Sequence, residues 1–143
     1  MTTIGVFAMI CDTQEHILLA RRRDIDRWNL PGGRREPGET PWDALHREVS
    51  EEIGITIAID VLTGVYAYPP ADDLILQFRC SWTRGSLACS DEVQEIQFYS
   101  LDALPQTLHE HHRIRILDTA HFQGTIVYQV LPLLPKEEFG TYR

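Results

Sequence analysis

The chain has 143 residues, with 43% hydrophobic and 24% charged side chains, a length that fits one domain and a balance that excludes disordered and fibrous classes. Its formal net charge of -8 argues against DNA or any extended nucleic-acid backbone as partner, because such binding needs clustered Lys and Arg. No apolar stretch reaches the roughly 20 residues of a membrane span, and Met1-Thr2-Thr3-Ile4 lacks the basic start and apolar core of a secretion signal. The sequence therefore reads as a cytoplasmic protein without a membrane partner.

In chain order, Thr3 to Cys11 is a nearly unbroken apolar run, followed by Asp12-Thr13-Gln14-Glu15 and a second run from His16 to Ala20; the pattern predicts a β-hairpin. Arg21 to Gly38, with Leu30-Pro31-Gly32-Gly33 at its centre, reads as an ordered loop. Thr40 is placed to cap a helix with Pro41 at its first position and Asp43 three residues after the cap, and the helix should end near Ile53 at Gly54. Ile55 to Tyr68, Leu74 to Thr83 and Val93 to Tyr99 are rich enough in β-branched and aromatic residues to be strands. Thr107 to Phe122 reads as a second helix with Ile114, Leu117 and Phe122 in the core, and Gly124 to Leu134 as a last strand. The whole chain, 1–143, is expected to be one domain, with 135–143 a loose tail. Cys11, Cys80 and Cys89 lack C-x-x-C spacing and read as reduced structural residues.

The first helix carries the chemical signal. Glu48, Glu51 and Glu52 fall within an arc of roughly 100° at helical pitch, and Trp42, Leu45, Val49 and Ile53 fill a neighbouring apolar arc of about 80°. Carboxylates so close raise one another's pKa, a conflict that a divalent cation removes. Mg²⁺, with Mn²⁺ as substitute, suits oxygen donors better than Zn²⁺ does and commonly joins carboxylates to phosphates. Gly32 and Gly33 let the backbone approach a ligand, and the Gly32 carbonyl can itself serve as a metal ligand. Arg47 can pair with Glu51 one turn on, or with Glu39 if the loop folds back.

The spacing Gly33-x5-Glu39-x7-Arg47-Glu48-Val49-x-Glu51-Glu52-x-Gly54-Ile55 resembles a complete Nudix box, and the likeness extends to the preceding Trp28-Asn29-Leu30-Pro31-Gly32-Gly33. The resemblance implies an α+β fold in which a mixed β-sheet is sandwiched between helices, and a metal-dependent hydrolase of a pyrophosphate bond. It implies Glu48, Glu51 and Glu52 as metal ligands, Glu39 as a supporting residue and Arg47 as the group that orients the cluster. Glu92 sits where many members place a further acidic residue, with Asp91 and Glu95 as competitors.

Outside the box, Arg21, Arg22, Arg23 and Arg27 approach the glycine loop with guanidinium groups suited to a diphosphate, and Arg21, Arg23 and Arg27 are expected to bind the substrate. Tyr68, at a strand end beside Pro69 and Pro70, is expected to stack on a base. His109, His111 and His112, next to Arg113 and Arg115, read as a solvated helix face, since H-E-x-x-H spacing is absent.

For substrate, Pro70 stands about fifteen residues past the box, an offset that resembles members acting on ADP-ribose, so a small nucleotide of that type is favoured. A nucleoside triphosphate or oxidised nucleotide is the alternative, supported by a first strand that starts almost at once where longer ADP-ribose hydrolases carry an additional region. A regulatory module that binds nucleotides without catalysis is the reading of another class, and a damaged box would favour it. The protein is expected to be a monomer or a homodimer.

Overall fold

A computed structural model describes residues 1–135; the expected tail, apart from Pro135, lies outside the described residues. Eight strands and two helices follow in the order β1 Thr3–Ile10, β2 Ile17–Arg22, β3 Trp28–Asn29, β4 Gly32–Arg34, α1 Pro41–Ile53, β5 Ile55–Tyr68, β6 Asp73–Gly85, β7 Val93–Tyr99, α2 Glu110–Ala120 and β8 Val127–Val130. Short 3₁₀ turns at Pro69–Ala71 and Leu101–Ala103 link β5 to β6 and β7 to α2. The larger sheet runs β4-β1-β6-β5-β8 and the smaller one β3-β2-β7. The larger sheet is mixed: β1 is parallel to β6 and antiparallel to β4, while β5 is antiparallel to β6 and parallel to β8.

The apolar run of β1 is continuous because both of its faces are covered, as expected of a strand inside a layered sheet. Val6, Ala8 and Ile10 point into one core with Leu45, Val49 and Ile53 of α1. Phe7 and Met9 point into the other, with Ile116 of α2. The two helices thus flank the larger sheet, in agreement with the expected α+β Nudix architecture.

The predicted β1–β2 hairpin is not formed. An isolated bridge between Cys11 and Ile17 is the point of contact on the strands' backbones, and β2 pairs with β3 and β7 in the other sheet. Burial on two faces places β1 between β4 and β6, while the Asp12 carboxylate, accepting from the Gln14 and His16 amides, folds the connection into a local turn. The expected loop over 21–38 contains β3 and β4, each too short for a periodic signal.

Helix α1 forms where the sequence places it. The Thr40 hydroxyl accepts from the Asp43 amide at 3.1 Å, Pro41 occupies the first turn, and Gly54 ends the helix in a left-handed conformation. Its buried residues are Ala44, Leu45, Val49 and Ile53, whereas Trp42, expected on this stripe, is 55% exposed because it stands in the first turn.

Helix α2 departs further. His109, His111, His112 and Arg115 are buried, whereas Leu117 is 41% exposed, so the expected solvated face is the packed one. Polar side chains at this face find partners inside the protein: the His112 Nδ1 accepts from the Leu30 amide, the His111 Nε2 meets the Pro132 carbonyl, and the Arg115 Nε donates to Gln77. The three cysteines are free, Cys80 buried and Cys11 and Cys89 exposed. Among the described residues no helix is long and apolar enough to cross a membrane.

These burials predict opposite outcomes on one helix. Leu45→Ala should cost about 2–5 kcal/mol, and Trp42→Ser about 0.5 kcal/mol or less, as read by urea unfolding; a costlier Trp42→Ser would contradict the packing described.

Candidate active site

Between β1 and α1 the backbone passes through two glycines for different reasons. At Gly32, φ is +148° and an added Cβ would stand 2.1 Å from the Val6 carbonyl oxygen. At Gly33 a Cβ would fall 2.3 Å from Glu48 Oε2, so the carboxylate occupies the space a side chain would take. The Gly32 amide donates to Glu52 Oε1 at 2.9 Å. Two glutamates four residues apart on α1 are thereby seated against the same bend.

Arg47 organises the cluster. Its Nε and Nη2 donate to the two oxygens of Glu39 at 2.7 and 2.9 Å, a two-pronged pairing. Its Nη1 reaches Glu48 Oε1 at 2.8 Å and Glu51 Oε2 at 3.4 Å, and Nη2 also donates to the Arg34 carbonyl. The loop folds back, so both pairings foreseen for Arg47 occur together. The hydrogen bonds from Arg47, followed by the Glu36 amide, lower the Glu39 pKa to about 2. Arg47 is held protonated in turn, chiefly by Glu39.

Glu52 responds oppositely: burial pushes its pKa well up, the Gly32 amide pulls it back, and the charges of Glu48, Glu92 and Glu51 raise it again. Burial also raises Glu48, against the pull of Arg47, and Glu92 and Glu51 add to the rise. Glu48 and Glu52 therefore feel the charges of Glu51 on the same helix and of Glu92 just before β7. Glu48, Glu52, Asp91 and Glu92 line a cavity of about 430 Å³, while Glu51 lies on its flank with a side chain 63% exposed.

The cavity corrects the basic assignment. Arg22 and Arg23 line it together with Arg34, but Arg21 and Arg27 do not. Alternation along β2 turns Arg21 to the other side, where it pairs with Asp26 and Glu95, and an irregularity between Arg21 and Arg22 in the pairing with β7 precedes the two arginines that face inward. Arg23 donates from Nε to the Ser90 carbonyl. Glu95, as partner of Arg21 and absent from the cavity lining, ceases to compete with Glu92. Tyr68 is fully buried in the α2-side core, edge-on to His111 at 4.8 Å, with its hydroxyl accepting from the Leu134 amide; it is not a cavity residue, so no base can stack on it there. Phe7, Leu30 and Ile75 supply apolar cavity wall instead. Arg34 was missed because a strand of three residues gives no facing pattern, and Leu30 and Ile75 because their place on the wall depends on how distant segments pack.

The donor set fits a hard divalent cation. It consists of carboxylate oxygens whose mutual repulsion a cation would relieve, one of them cradled where Gly33 leaves room. Among the described residues no group of three or more acidic, histidine or cysteine side chains is arranged to hold a metal ion, so a cation here would need water and phosphate oxygens for the rest of its shell, as Mg²⁺ favours.

A family model described as the NUDIX domain matches residues 1–119. The chain is 37% identical over 106 residues to a putative 8-oxo-dGTP diphosphatase of Bacillus subtilis (strain 168), covering 73% of this chain and 71% of that protein. It is 32% identical over 112 residues to an ADP-ribose pyrophosphatase of Methanocaldococcus jannaschii, covering 73% and 66%. The crystal structure of a NUDIX hydrolase from Nitrosomonas europaea superposes with a TM-score of 0.80 at 19% identity, covering 91% of this chain and 78% of that one, a likeness of fold.

The Glu39 pairing has a pH signature. A carboxylate lowered from 4.5 to about 2 contributes stability that is fully present above pH 4.5 and is lost as pH falls toward 2. The melting temperature of Glu39→Gln should lie below wild type at pH 7, with the gap closing as pH falls through that window; a gap independent of pH would contradict the pairing.

Proposed function

The chain belongs to the NUDIX domain family and is a pyrophosphohydrolase, and on that premise we propose that it cleaves the diphosphate linkage of a small nucleotide with Mg²⁺, or Mn²⁺ in its place. One observation carries the reading: Glu48, Glu52 and Glu92 share a single cavity with Arg22 and Arg23, so groups suited to a cation and groups suited to phosphate converge. A damaged box would favour a binding module without catalysis, and the acidic residues of this one are all in place.

Glu48 and Glu52 would hold the cation, with Glu51 completing the set from the flank and the Gly32 carbonyl as a further donor. When bound, the ion supplies charge neutralisation at the phosphoryl oxygens and acidifies water. The chain's own residues do the rest. Arg47 fixes Glu48 through Nη1 while its fork on Glu39 prevents it from swinging away. Arg22 and Arg23 bind phosphate oxygens and set the linkage in line for displacement, where positioning supplies most of the acceleration. Glu92, on a separate element from the helix cluster and not engaged by Arg47, accepts the proton from the attacking water. The apolar walls of Phe7, Leu30 and Ile75 leave room for a nucleoside.

An ADP-ribose-type substrate is our first reading, supported by the similarity to the Methanocaldococcus jannaschii pyrophosphatase. Pro70 itself lies in the 3₁₀ turn Pro69–Ala71, outside the cavity, and acts there as a turn residue. The similarity to the putative 8-oxo-dGTP diphosphatase favours an oxidised nucleoside triphosphate as the second reading.

Hydrolysis of ADP-ribose, 8-oxo-dGTP and unmodified triphosphates should be compared with Mg²⁺ and with a chelator. Activity should require the metal, and Glu52→Gln should lower kcat by about 10²–10³-fold with an unchanged circular dichroism spectrum. Near-normal turnover in both Glu51→Gln and Glu52→Gln would remove the carboxylates from the reaction.

A further inference from the structure

The buried polar face of α2 has no part in the chemistry above, yet it reaches the segment that supports it. His112, 2% exposed, accepts the Leu30 amide on Nδ1 at 2.8 Å, across 82 residues of sequence. Two residues earlier the segment leading into α2 holds Trp28 from both sides: the Trp28 amide donates to the Thr107 carbonyl, and the His109 amide donates to the Trp28 carbonyl. One residue later the Pro31 carbonyl accepts from the Ala8 amide of β1. The next amide in the chain, Gly32, is the one that meets Glu52. The run from Trp28 to Gly32 is therefore pinned at successive backbone groups, with His112 as the side-chain partner at Leu30 and Glu52 as that at Gly32.

The same helix face also holds the strand opposite Gly32. Phe7 pairs with Gly32 across β1 and β4. The His112 ring meets the Phe7 ring edge-on at 4.8 Å, and the Arg115 guanidinium lies 4.6 Å from its centroid. Arg115 Nε donates to Gln77 Oε1, and Gln77 Nε2 donates to the Phe7 carbonyl. Both partners of the glycine bend are thus referenced to α2. A leucine at 112 would fill the space as well as a histidine, but it would leave the Leu30 amide buried without an acceptor.

We propose that His112 is a positioning residue for hydrolysis: by accepting the Leu30 amide it fixes the Trp28–Gly32 segment at the height where the Gly32 amide meets Glu52, and it governs turnover more than substrate affinity. The inference rests on the reading of Glu52 as a functional carboxylate. The bond requires the neutral tautomer with hydrogen on Nε2, and burial together with the positive charge of Arg115 holds the ring in its neutral form.

Three readouts test it. In wild type, ¹⁵N NMR of His112 at pH 7 should show an unprotonated Nδ1 and a protonated Nε2. In His112→Leu, kcat should fall about 10- to 100-fold with KM within about threefold of wild type, and the Gly32 amide resonance should shift. His112→Asn, whose Oδ1 takes the place of Nδ1, should recover most of kcat and return the Gly32 resonance. The proposal is overturned by a protonated Nδ1, by a folded His112→Leu with kcat within about twofold of wild type and an unmoved Gly32 amide, or by His112→Asn as impaired as His112→Leu. If His112→Leu does not fold, the tautomer and the asparagine variant decide. If wild type hydrolyses none of the nucleotides tried, the proposed function fails, and the Gly32 amide still reports whether His112 positions the bend.

Discussion

Arg47 donates to Glu39, Glu48 and Glu51 and to the carbonyl of Arg34, and the arrangement of the site depends on those bonds. Without a cation at their centre, the helix carboxylates would turn outward to separate their charges. The guanidinium opposes this by tying Glu48 to the loop through Glu39, so the cost of gathering negative charge is partly offset before any ion arrives. A lysine could not do the same, since one ammonium cannot present the planar fork that Glu39 occupies. The two glycines complete the constraint from the other side, one packed on β1 and the other leaving the volume that Glu48 fills.

The fold delivers these groups to one place because β1 is buried on both faces. Its Val6 face receives α1, which carries the acidic cluster; its Phe7 face receives α2, which anchors the strand and bend around the site. The cavity opens where β4 ends on β1 and where β2 and the start of β7 bring Arg22, Arg23 and Glu92 from the second sheet. The helix carboxylates and the arginines at the end of β2 therefore come from different layers, with Arg47 placed among the carboxylates and Glu92 beside the arginines.

What the sequence made legible was local. The cap at Thr40, the proline at 41 and the glycine at 54 bound α1 within one stretch of chain, and helical pitch alone places Glu48, Glu51 and Glu52 together. The Arg47 pairings were foreseeable because both partners lie in the same loop-helix unit. The partner of β1 was not, because strand pairing depends on segments seventy residues away. Arg21 and Arg22 differ in the direction of their side chains, which follows from β2 register and the irregularity beside β7. Tyr68, expected at the site because it ends a strand beside two prolines, is closed in by His111 and Leu134 from distant segments, and the polar groups of α2 misled because such groups imply solvent unless a distant amide, carbonyl or amide side chain takes its place. Leu30, Pro132 and Gln77 do so here, and no periodicity in residues 107–122 announces them.

A divalent ion should sit among the α1 carboxylates beneath the glycine bend. Substoichiometric Mn²⁺ added to ¹⁵N-labelled protein tests it through paramagnetic broadening of backbone amides. Gly32, Gly33 and the amides around Glu48 and Glu52 should broaden first, and Mg²⁺ in excess should restore them. Broadening centred on the α2 histidines, or spread evenly over the acidic surface, would contradict it.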